Sequence, residues 1–415
     1  MQLRALVASK SEGTGQNVPG GIIIKQVAKL EELKSYCQQW DRLLLELSLP
    51  IPMLSCVWVL SALEHFVCPG DEWVCLMAYD GGILVGILPL IIGRGNFRAI
   101  PYGGLRTPFN WHMLACNCLI RPGYEGRIIP PMLQSARKIS PLYSGLKLFR
   151  MESDSPIIDI LKQGIIGYKS VSIHNGCGSY IKISGSYEKY LEGLDTKFVR
   201  NLRRLDRKMQ SLANLEYSVV TENAGEEGYF ERFLKVEGRS WKGKKGTAIM
   251  HSGSLKKYYS DLTQRLAEHG WLEWYFLSAE GKTIAAMMTI RIGRRLVIYK
   301  IGYDEDYASY SPGNKLFEKM LQRAHTAGGI DEVDCLTAYP WNQNWNMATR
   351  DYYDLTIYPK RPAVLLGGYL PAKISNSFGH GSYLRKRCRI LLDSAVKFAG
   401  GLKRRPLMSS NGTNH

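Results

Sequence analysis

The hexapeptide Ser311-Pro312-Gly313-Asn314-Lys315-Leu316 decides the fold of the second half of this chain. It follows two apolar runs, residues 283–290 and 295–303, whose composition is typical of neighbouring β-strands. After it, apolar residues recur at helical spacing and predict a helix over residues 315–327. A strand that leads through a glycine turn into a helix N-terminus presents free backbone N–H groups and a positive dipole end. The hexapeptide therefore predicts a phosphate seat, as in a transferase that holds an activated acyl donor.

The charge of the chain narrows the class of its partners. The 415 residues carry a formal net charge of +17, and their length is enough for two or three domains with cores of their own. Such a charge favours anionic partners, namely nucleic acid, phosphorylated donors or a lipid surface. A basic surface that contacts only water is the alternative.

The apolar and cysteine patterns predict a cytoplasmic protein. The longest apolar run, residues 83–92, is about half the length of a membrane-spanning helix. Residues 1–21 lack the apolar core and cleavage pattern of a secretory signal. The nine cysteines include no Cys-x-x-Cys pair, and no histidines stand at ligand spacing. We therefore expect buried thiols and no metal site.

Both halves show the same order of elements. In the first half we predict helices over 30–47, 56–66 and 130–139, a hairpin of strands 72–79 and 83–92, and a strand over 145–151. In the second half we predict helices over 187–213 and 225–239, a hairpin of strands 270–279 and 283–290, and strands over 295–303 and 332–336. This order predicts an α/β (α+β) fold of two tandem units, each a mixed, mostly antiparallel sheet flanked by helices. We place the units at residues 21–184 and 185–370, after a flexible lead (1–20) and before a basic segment (371–415).

Two segments concentrate basic residues. Residues 197–208 predict a basic helix in which Arg203 and Arg204 share a face with two further arginines, an arrangement suited to phosphates or an anionic polysaccharide. Residues 383–398 predict a basic amphipathic helix that contacts an anionic membrane. In each case a charged face exposed to water is the alternative.

Short motifs occur in a fixed order over residues 190–345. They are Phe198-Val199-Arg200-Asn201-Leu202-Arg203-Arg204, Glu237-Gly238-Arg239-Ser240-Trp241-Lys242-Gly243, Gly246-Thr247-Ala248-Ile249, Tyr299-Lys300-Ile301-Gly302-Tyr303-Asp304, Tyr310-Ser311-Pro312-Gly313 with Leu316, and Val333-Asp334-Cys335-Leu336. With this ordered set the second half resembles the acetyltransferase domain of the CelD-like proteins, a group associated with bacterial cellulose and exopolysaccharide synthesis. The group belongs to the GNAT superfamily and is similar to the Fem-type peptidoglycan aminoacyltransferases.

The resemblance implies two GNAT-like units, the first a degenerate partner and the second an acyltransferase. It implies transfer of an acyl group from acyl-coenzyme A, such as acetyl-coenzyme A, to an amino or hydroxyl group of a sugar or small metabolite. The residues implied to hold the donor are Ser311, Gly313, Asn314, Lys315 and Tyr303.

The hexapeptide departs from the usual GNAT phosphate loop, Gln/Arg-x-x-Gly-x-Gly/Ala. Gly313 takes the second glycine position, whereas Ser311 replaces the first glycine and Ala308 replaces the Gln or Arg. Fem-type relatives with similarly altered loops use aminoacyl-tRNA, so an aminoacyl-tRNA-dependent transferase is the alternative function. A second alternative is a non-catalytic, polysaccharide- or membrane-associated binding protein with the same fold.

Two carboxylates are candidates for work on the acceptor. Asp334 ends a predicted strand, where its side chain can face the cleft, and Glu237 lies one turn before Trp241 on a helix. The alternatives are a loop-pinning role for Asp334 and an ion pair of Glu237 with Lys242 or Lys244.

The remaining candidates come from spacing and charge. Tyr352 follows Ala348 at a spacing that GNAT enzymes often use for the tyrosine that protonates the leaving thiolate, with an ordinary packed aromatic as the alternative. Trp241 and Lys242 are candidates for binding the acceptor, and Arg203 and Arg204 for binding an anionic substrate or tRNA.

Overall fold

The strands of both halves join into one mixed sheet in the computed structural model, which describes residues 21–67, 71–97, 100–110, 112–114, 117–140 and 143–377. The strands are β1 (Ile23–Val27), β2 (Glu72–Asp80), β3 (Ile83–Phe97), β4 (Ile100–Arg106), β5 (Leu119–Ile120), β6 (Tyr143–Glu152), β7 (Tyr168–Lys182), β8 (Glu216–Val220), β9 (Leu272–Ala279), β10 (Lys282–Ile292), β11 (Arg295–Tyr303), β12 (Glu332–Asp334) and β13 (Ala348–Pro359). Their order is β1-β2-β3-β4-β6-β13-β7-β12-β11-β10-β9-β8, with β5 beside β3. The pairs β4–β6 and β11–β12 are parallel and the other pairs are antiparallel. The predicted fold class, a mixed and mostly antiparallel sheet, is confirmed.

Helices flank both faces of this sheet. They are α1 (Leu30–Lys34), α2 (Cys37–Leu45), α3 (Cys56–Phe66), α4 (Glu125–Ile139), α5 (Pro156–Gln163), α6 (Tyr187–Glu192), α7 (Thr196–Met209), α8 (Glu227–Arg239), α9 (Trp241–Lys244), α10 (Gly253–Glu268), α11 (Pro312–Thr326), α12 (Pro362–Val364), a π-helical turn (Leu365–Tyr369) and α13 (Leu370–Ser377). Short 3₁₀ turns cover Pro52–Leu54, Ile249–His251, Glu305–Tyr310 and Pro340–Trp345. None of the helices in the described ranges combines the length and the hydrophobicity needed to cross a bilayer.

The two halves exchange their last strands. β13, from the end of the second half, lies between β6 and β7, both of which come from the first half. β7 in turn pairs with β12 of the second half. Each half therefore completes its sheet with a strand from the other, and the sheet runs without a break across the molecule.

A buried group of charges holds this junction together. The guanidinium of Arg295 on β11 lies 2.6 Å from the Asp334 carboxylate, 3.0 Å from Glu332 on β12 and 2.9 Å from Glu152 on β6. Arg350 on β13 lies 2.8 Å from Glu332 and 3.3 Å from Asp334. Because the five side chains come from four strands of both halves, the group ties the exchanged strands to the sheet.

The hydrophobic core is shared on one face of the sheet and divided on the other. On the shared face, α1, α2 and α3 of the first half and α8 and α10 of the second half form one buried cluster with the strands. On the opposite face, α4 and α5 cover the first half, and α6, α7 and α11 cover the second. The halves therefore pack as one body through the face that carries α3 and α10.

Both predicted hairpins are present, because their turns have the local chemistry that the conformation needs. Gly81 and Gly82 have φ angles of 55° and 83° between β2 and β3, and Glu280 and Gly281 have 55° and 74° between β9 and β10. Left-handed angles at both central positions match the twist of a two-residue hairpin.

Some predicted elements differ from the structure. The helix predicted over 30–47 is two helices, α1 and α2, and the one predicted over 187–213 is α6 and α7, because Asp195 caps a new helix by accepting from the Phe198 N–H. The helix α10 and the long strands β7 and β13 have no predicted counterpart. Cys37 and Cys56, expected as free thiols, form a disulfide between α2 and α3. The lead 1–20 and the basic helix 383–398 lie outside the described residues.

We expect Arg295→Met to lower the free energy of unfolding by about 3–5 kcal/mol, because it leaves three buried carboxylates with one guanidinium. Arg294 is the matched control, since its side chain is 57% exposed and its guanidinium pairs with Asp331 at the surface. Arg294→Met should leave the free energy of unfolding unchanged. Urea titration of both variants makes the comparison, and equal midpoint shifts would contradict the role of the buried group.

Candidate active site

A cleft begins where β11 and β12 stop pairing. The two parallel strands are in register from Arg295 beside Glu332 to Val297 beside Asp334. β11 then continues to Tyr303, and no strand of the described residues pairs with it on that side. The carboxylate of Asp334 accepts from the Leu336 N–H at 2.6 Å, and the chain turns away there with Leu336 at a φ of 56°. The edge of β11 that is left open is about 16–20 Å long, from the rise per residue in a strand.

The N-terminus of α11 lies at the far end of this open edge. Ser311, which precedes the helix, adopts the left-handed conformation with φ and ψ of 51°, a geometry that glycine adopts more readily. Pro312 has no N–H, and the N–H groups of Gly313 and Asn314 have no hydrogen-bond partner within the described residues. A Cβ atom at Gly313 would lie 3.3 Å from Cδ1 of Tyr303, so a larger side chain would press on that ring. The hexapeptide thus presents free donors at a helix N-terminus.

Lys315 does not point to this N-terminus. Its ammonium is buried and forms ion pairs with Glu318 on α11 and with Asp206 on α7. Lys315 therefore joins α11 to α7, whereas we predicted that it binds the donor. Lys208, also on α7, donates to the Ser309 carbonyl at 3.1 Å, just ahead of the hexapeptide.

The basic helix α7 runs beside the same turn. Arg203 and Arg204 are exposed on this helix. Nε and Nη2 of Arg204 both donate to Oδ1 of Asn201. The contacts of α7 with α11 through Lys315 and Asp206 bring this basic surface next to the α11 N-terminus.

A bulge on β11 places Tyr299 and Lys300 on the opposite face of the sheet. Met288 of β10 is in register with Lys300, and the next residue, Thr289, is in register with Ile298, so Tyr299 is the extra residue. Such a bulge re-aims side chains beside functional sites. Here the Lys300 ammonium lies 5.3 Å from the ring centres of both Tyr299 and Tyr259, the latter on α10.

His112 of the first half completes this cluster. Its Nδ1 lies 2.8 Å from the Tyr259 hydroxyl, and its carbonyl accepts a hydrogen bond from the Tyr299 hydroxyl. The hydroxyls of Tyr259 and Tyr299 are 3.4 Å apart. The cluster of His112, Tyr259, Tyr299 and Lys300 therefore joins residues of both halves.

Burial changes the protonation of two of these groups. It lowers the pKa of Lys300 to about 8, with a further contribution from the charge of Lys242. It also lowers the pKa of His112 to about 4, with the charge of Lys300 as the second cause. Near neutral pH the imidazole is neutral, and a part of the Lys300 population is a free amine. A lysine tuned in this way is able to accept and return a proton.

Two of the predicted acceptor residues lie next to this cluster. Glu237 on α8 is buried and accepts from the Lys242 ammonium at 2.9 Å and from the Ile249 N–H at 2.9 Å. The Glu237 backbone lies against Gly302, close to where a Cβ atom at Gly302 would stand. The ion pair of Glu237 and Lys242 is thus present, and Trp241 is 46% exposed beside it.

The structure places Asp334 and Tyr352 elsewhere. Asp334 is 1% exposed and its carboxylate is occupied by Arg295, Arg350 and a backbone N–H, which favours a structural role. Tyr352 on β13 is fully buried with its ring 4.2 Å from the Arg150 guanidinium. Neither is brought together with Lys300 or with the α11 N-terminus.

Glu64, His65 and Asp261 form a group whose side-chain atoms converge within the described residues. Arg265 forms ion pairs with the carboxylates of both Glu64 and Asp261. Because the Arg265 guanidinium already neutralises these carboxylates, we do not assign a metal site to this group.

Sequence reasoning missed Lys300, His112 and Tyr259 as a site. Lys300 stands in one of the motifs quoted above, but a one-residue bulge leaves no trace in the spacing of apolar residues. His112 and Tyr259 meet across 147 positions of sequence, and only the packing of the two halves reveals that contact.

Part of the second half is similar to a known protein family. Residues 196–344 match a family model described as the acetyltransferase (GNAT) domain. This stretch is therefore similar to GNAT acetyltransferase domains. It begins at the first residue of α7 and includes the cleft, the β11 bulge and the α11 N-terminus. No curated protein sequence matches the chain significantly.

Two solved structures share the fold of nearly the whole chain. A crystal structure of FemX is 10% identical with a TM-score of 0.56, and covers 82% of this chain and 99% of its own. The C-terminal domain of a putative lysylphosphatidylglycerol synthetase from Agrobacterium fabrum is 10% identical with a TM-score of 0.50, and covers 84% of this chain and 99% of its own. Because both alignments extend well beyond residues 196–344, the first half belongs to the shared fold as well.

We expect Lys300→Met to stabilise the protein in a pH-dependent way. The unfolded chain keeps this proton up to about pH 10.5, whereas the folded chain releases it near pH 8. Between these values the unfolded state binds more protons, so the wild-type stability that depends on this group rises with pH. The gain in the variant should be largest below pH 8 and should fade towards pH 10.5 in urea titrations. A gain that stays constant over this range would refute the lowered pKa.

Proposed function

We propose that this protein is an acyltransferase that moves an acyl group from acyl-coenzyme A to an amino or hydroxyl group of a sugar or small metabolite. The observation that carries the proposal is the position of two features across the cleft beside β11. Free N–H groups at the α11 N-terminus lie on one face of the sheet, and Lys300 lies with Tyr259 and Tyr299 on the other. A donor and an acceptor can therefore meet from opposite faces at the open edge of β11.

The donor phosphates are assigned to the hexapeptide turn. Gly313 and Asn314 offer N–H groups, and Gly313 itself has no side chain that would block a phosphate. The Tyr303 ring lies so close to Gly313 that a larger residue there would be crowded. Ser311 provides the left-handed turn that aims these groups outward. The acyl-bearing arm then runs along the unpaired edge of β11 towards Lys300, about 10 Å from Tyr303 by the rise of three strand residues.

The reaction needs a base on the acceptor side. The amine or hydroxyl of the acceptor attacks the thioester carbonyl, and the new C–N or C–O bond forms as the C–S bond breaks. Lys300, as the free amine, takes the proton of the attacking group and returns it to the leaving thiolate, so that coenzyme A leaves as a thiol. His112, Tyr259 and Tyr299 hold the Lys300 side chain in position, and Glu237 with Lys242 adjusts the charge around it.

We extend the proposal to the acceptor and the cellular setting. Trp241, half-exposed next to the Glu237–Lys242 pair, offers an apolar wall of the kind that sugar rings contact. A precursor of an exopolysaccharide in the cytoplasm fits both the resemblance and the acyl donor. Residues 185–370 would carry the catalytic residues, and residues 21–184 would support them through His112.

Coenzyme A binding tests the donor. At about 100 times its dissociation constant a ligand adds about 2.7 kcal/mol of stability, which raises the melting temperature by a few degrees. We expect acetyl-coenzyme A and free coenzyme A to produce such a shift, and Gly313→Glu to abolish it, because the carboxylate fills the turn and repels phosphate.

Gly253→Glu is the matched control for this experiment. Gly253 also begins a helix, α10, and a Cβ atom there meets nothing within 4 Å. The control variant should keep the full shift. A wild-type protein that melts cooperatively without any shift would overturn coenzyme A as the donor.

Aminoacyl-tRNA is the second candidate donor, and the exposed basic surface of α7 beside the α11 N-terminus favours it. Binding through phosphates would weaken steeply with salt. Charge reversal at Arg203 and Arg204 should then weaken tRNA binding, whereas reversal at Arg137 and Lys138, exposed on the distant helix α4, should not.

Loss of the base should separate catalysis from donor binding. We expect Lys300→Met to lower turnover by about 100- to 10,000-fold, the usual contribution of a general base. The coenzyme A thermal shift should remain, because the α11 N-terminus lies on the other face of the sheet. Turnover is measured as thiol release with amine and amino-sugar acceptors, and a variant with unchanged turnover would remove Lys300 from the mechanism.

A further inference from the structure

Apolar side chains are exposed together at the end of the described chain. Leu366, Leu370 and Ile374 recur every four residues along the π-helical turn and α13, and they are 67%, 41% and 45% exposed. Ile166, in the loop between α5 and β7, is 97% exposed. Four apolar side chains exposed to water on one side of a protein are energetically unfavourable and indicate an interaction surface.

A groove lined by lysines adjoins these side chains. It has a volume of about 480 Å³, and Ile166 and Tyr369 both line it. Lys162, Lys169 and Lys360 line it as well. The Lys162 ammonium forms an ion pair with the exposed Asp159 at 3.2 Å. Lys169 and Lys360 have no carboxylate partner among the described residues.

The surrounding sequence carries almost no negative charge. No Asp or Glu occurs from residue 355 to residue 377, where Lys360, Arg361 and Lys373 do occur. The described segment 355–377 therefore adds positive charge, and no acid, to this side of the molecule.

We propose that this surface, formed by Ile166, Leu366, Leu370, Ile374 and the lysine-lined groove, docks on a bilayer that contains anionic phospholipid. Exposed apolar side chains beside a basic rim are the arrangement by which proteins insert shallowly into the headgroup region. The apolar side chains enter the acyl boundary, and Lys169 and Lys360 contact the phosphates of the headgroups. Charge complementarity selects this occupant, because an apolar protein partner would not require the lysines.

Vesicle flotation of the full chain tests the proposal. We expect binding to phosphatidylcholine vesicles that contain phosphatidylglycerol, little binding to phosphatidylcholine alone, and weaker binding at high salt. Leu366→Glu combined with Leu370→Glu should weaken binding by about tenfold or more. Ile166→Glu should weaken it too, and this exposed loop position keeps the test valid if the double variant fails to fold.

Leu215→Glu is the matched control, because Leu215 is 41% exposed between α7 and β8 and lies outside this surface. It should bind vesicles as the wild type does. Equal binding to neutral and anionic vesicles, or wild-type binding by Ile166→Glu, would overturn the proposal. A dimer in solution that Ile166→Glu converts to a monomer would also overturn it, since the surface would then join two copies of the chain.

Discussion

The buried pairing of Arg295 and Arg350 with three carboxylates is the constraint on which the rest of the structure depends. Charges taken out of water are costly, so the five side chains are stable only while all four strands stay in register. Asp334 is held by both guanidiniums and by a backbone N–H, and β12 ends at that residue. The parallel pairing of β11 and β12 therefore stops at a fixed point, and the cleft begins there.

The first half has a part in the site as well as in the sheet. His112 contacts Tyr259 and Tyr299 of the second half, and the core that joins α3 to α10 holds these elements against each other. Burial in this region, together with the charge of Lys242, lowers the pKa of Lys300. A residue of the first half thus lies against the groups that surround Lys300 in the second half.

Local chemistry made part of this fold predictable. The two hairpins follow from Asp80-Gly81-Gly82 and Glu280-Gly281, and α11 follows from the hexapeptide and the apolar spacing after it. The exchange of β7 and β13 could not be predicted, because strand partners depend on contacts between residues far apart in sequence. The contacts around Lys300 and His112 could not be predicted for the same reason. The ion pairs of Asp334 could not be predicted either, because no motif indicates its arginine partners. The helix α10 was missed although Ser252 accepts from the Leu255 N–H as an N-cap, a signal that the sequence did contain.

The strand exchange also delays folding of the first half while the chain is being translated. β7 ends at Lys182, but its partner β13 begins only at Ala348, so roughly 165 residues separate the two. At translation rates of about 5–20 residues per second this distance takes on the order of 10 to 30 seconds. For most of that interval, until β12 is synthesised at Glu332–Asp334, the nascent first half carries a long strand with neither of its final neighbours. Open strand edges are sites of aggregation. A chaperone that binds extended segments would have its main opportunity in this window.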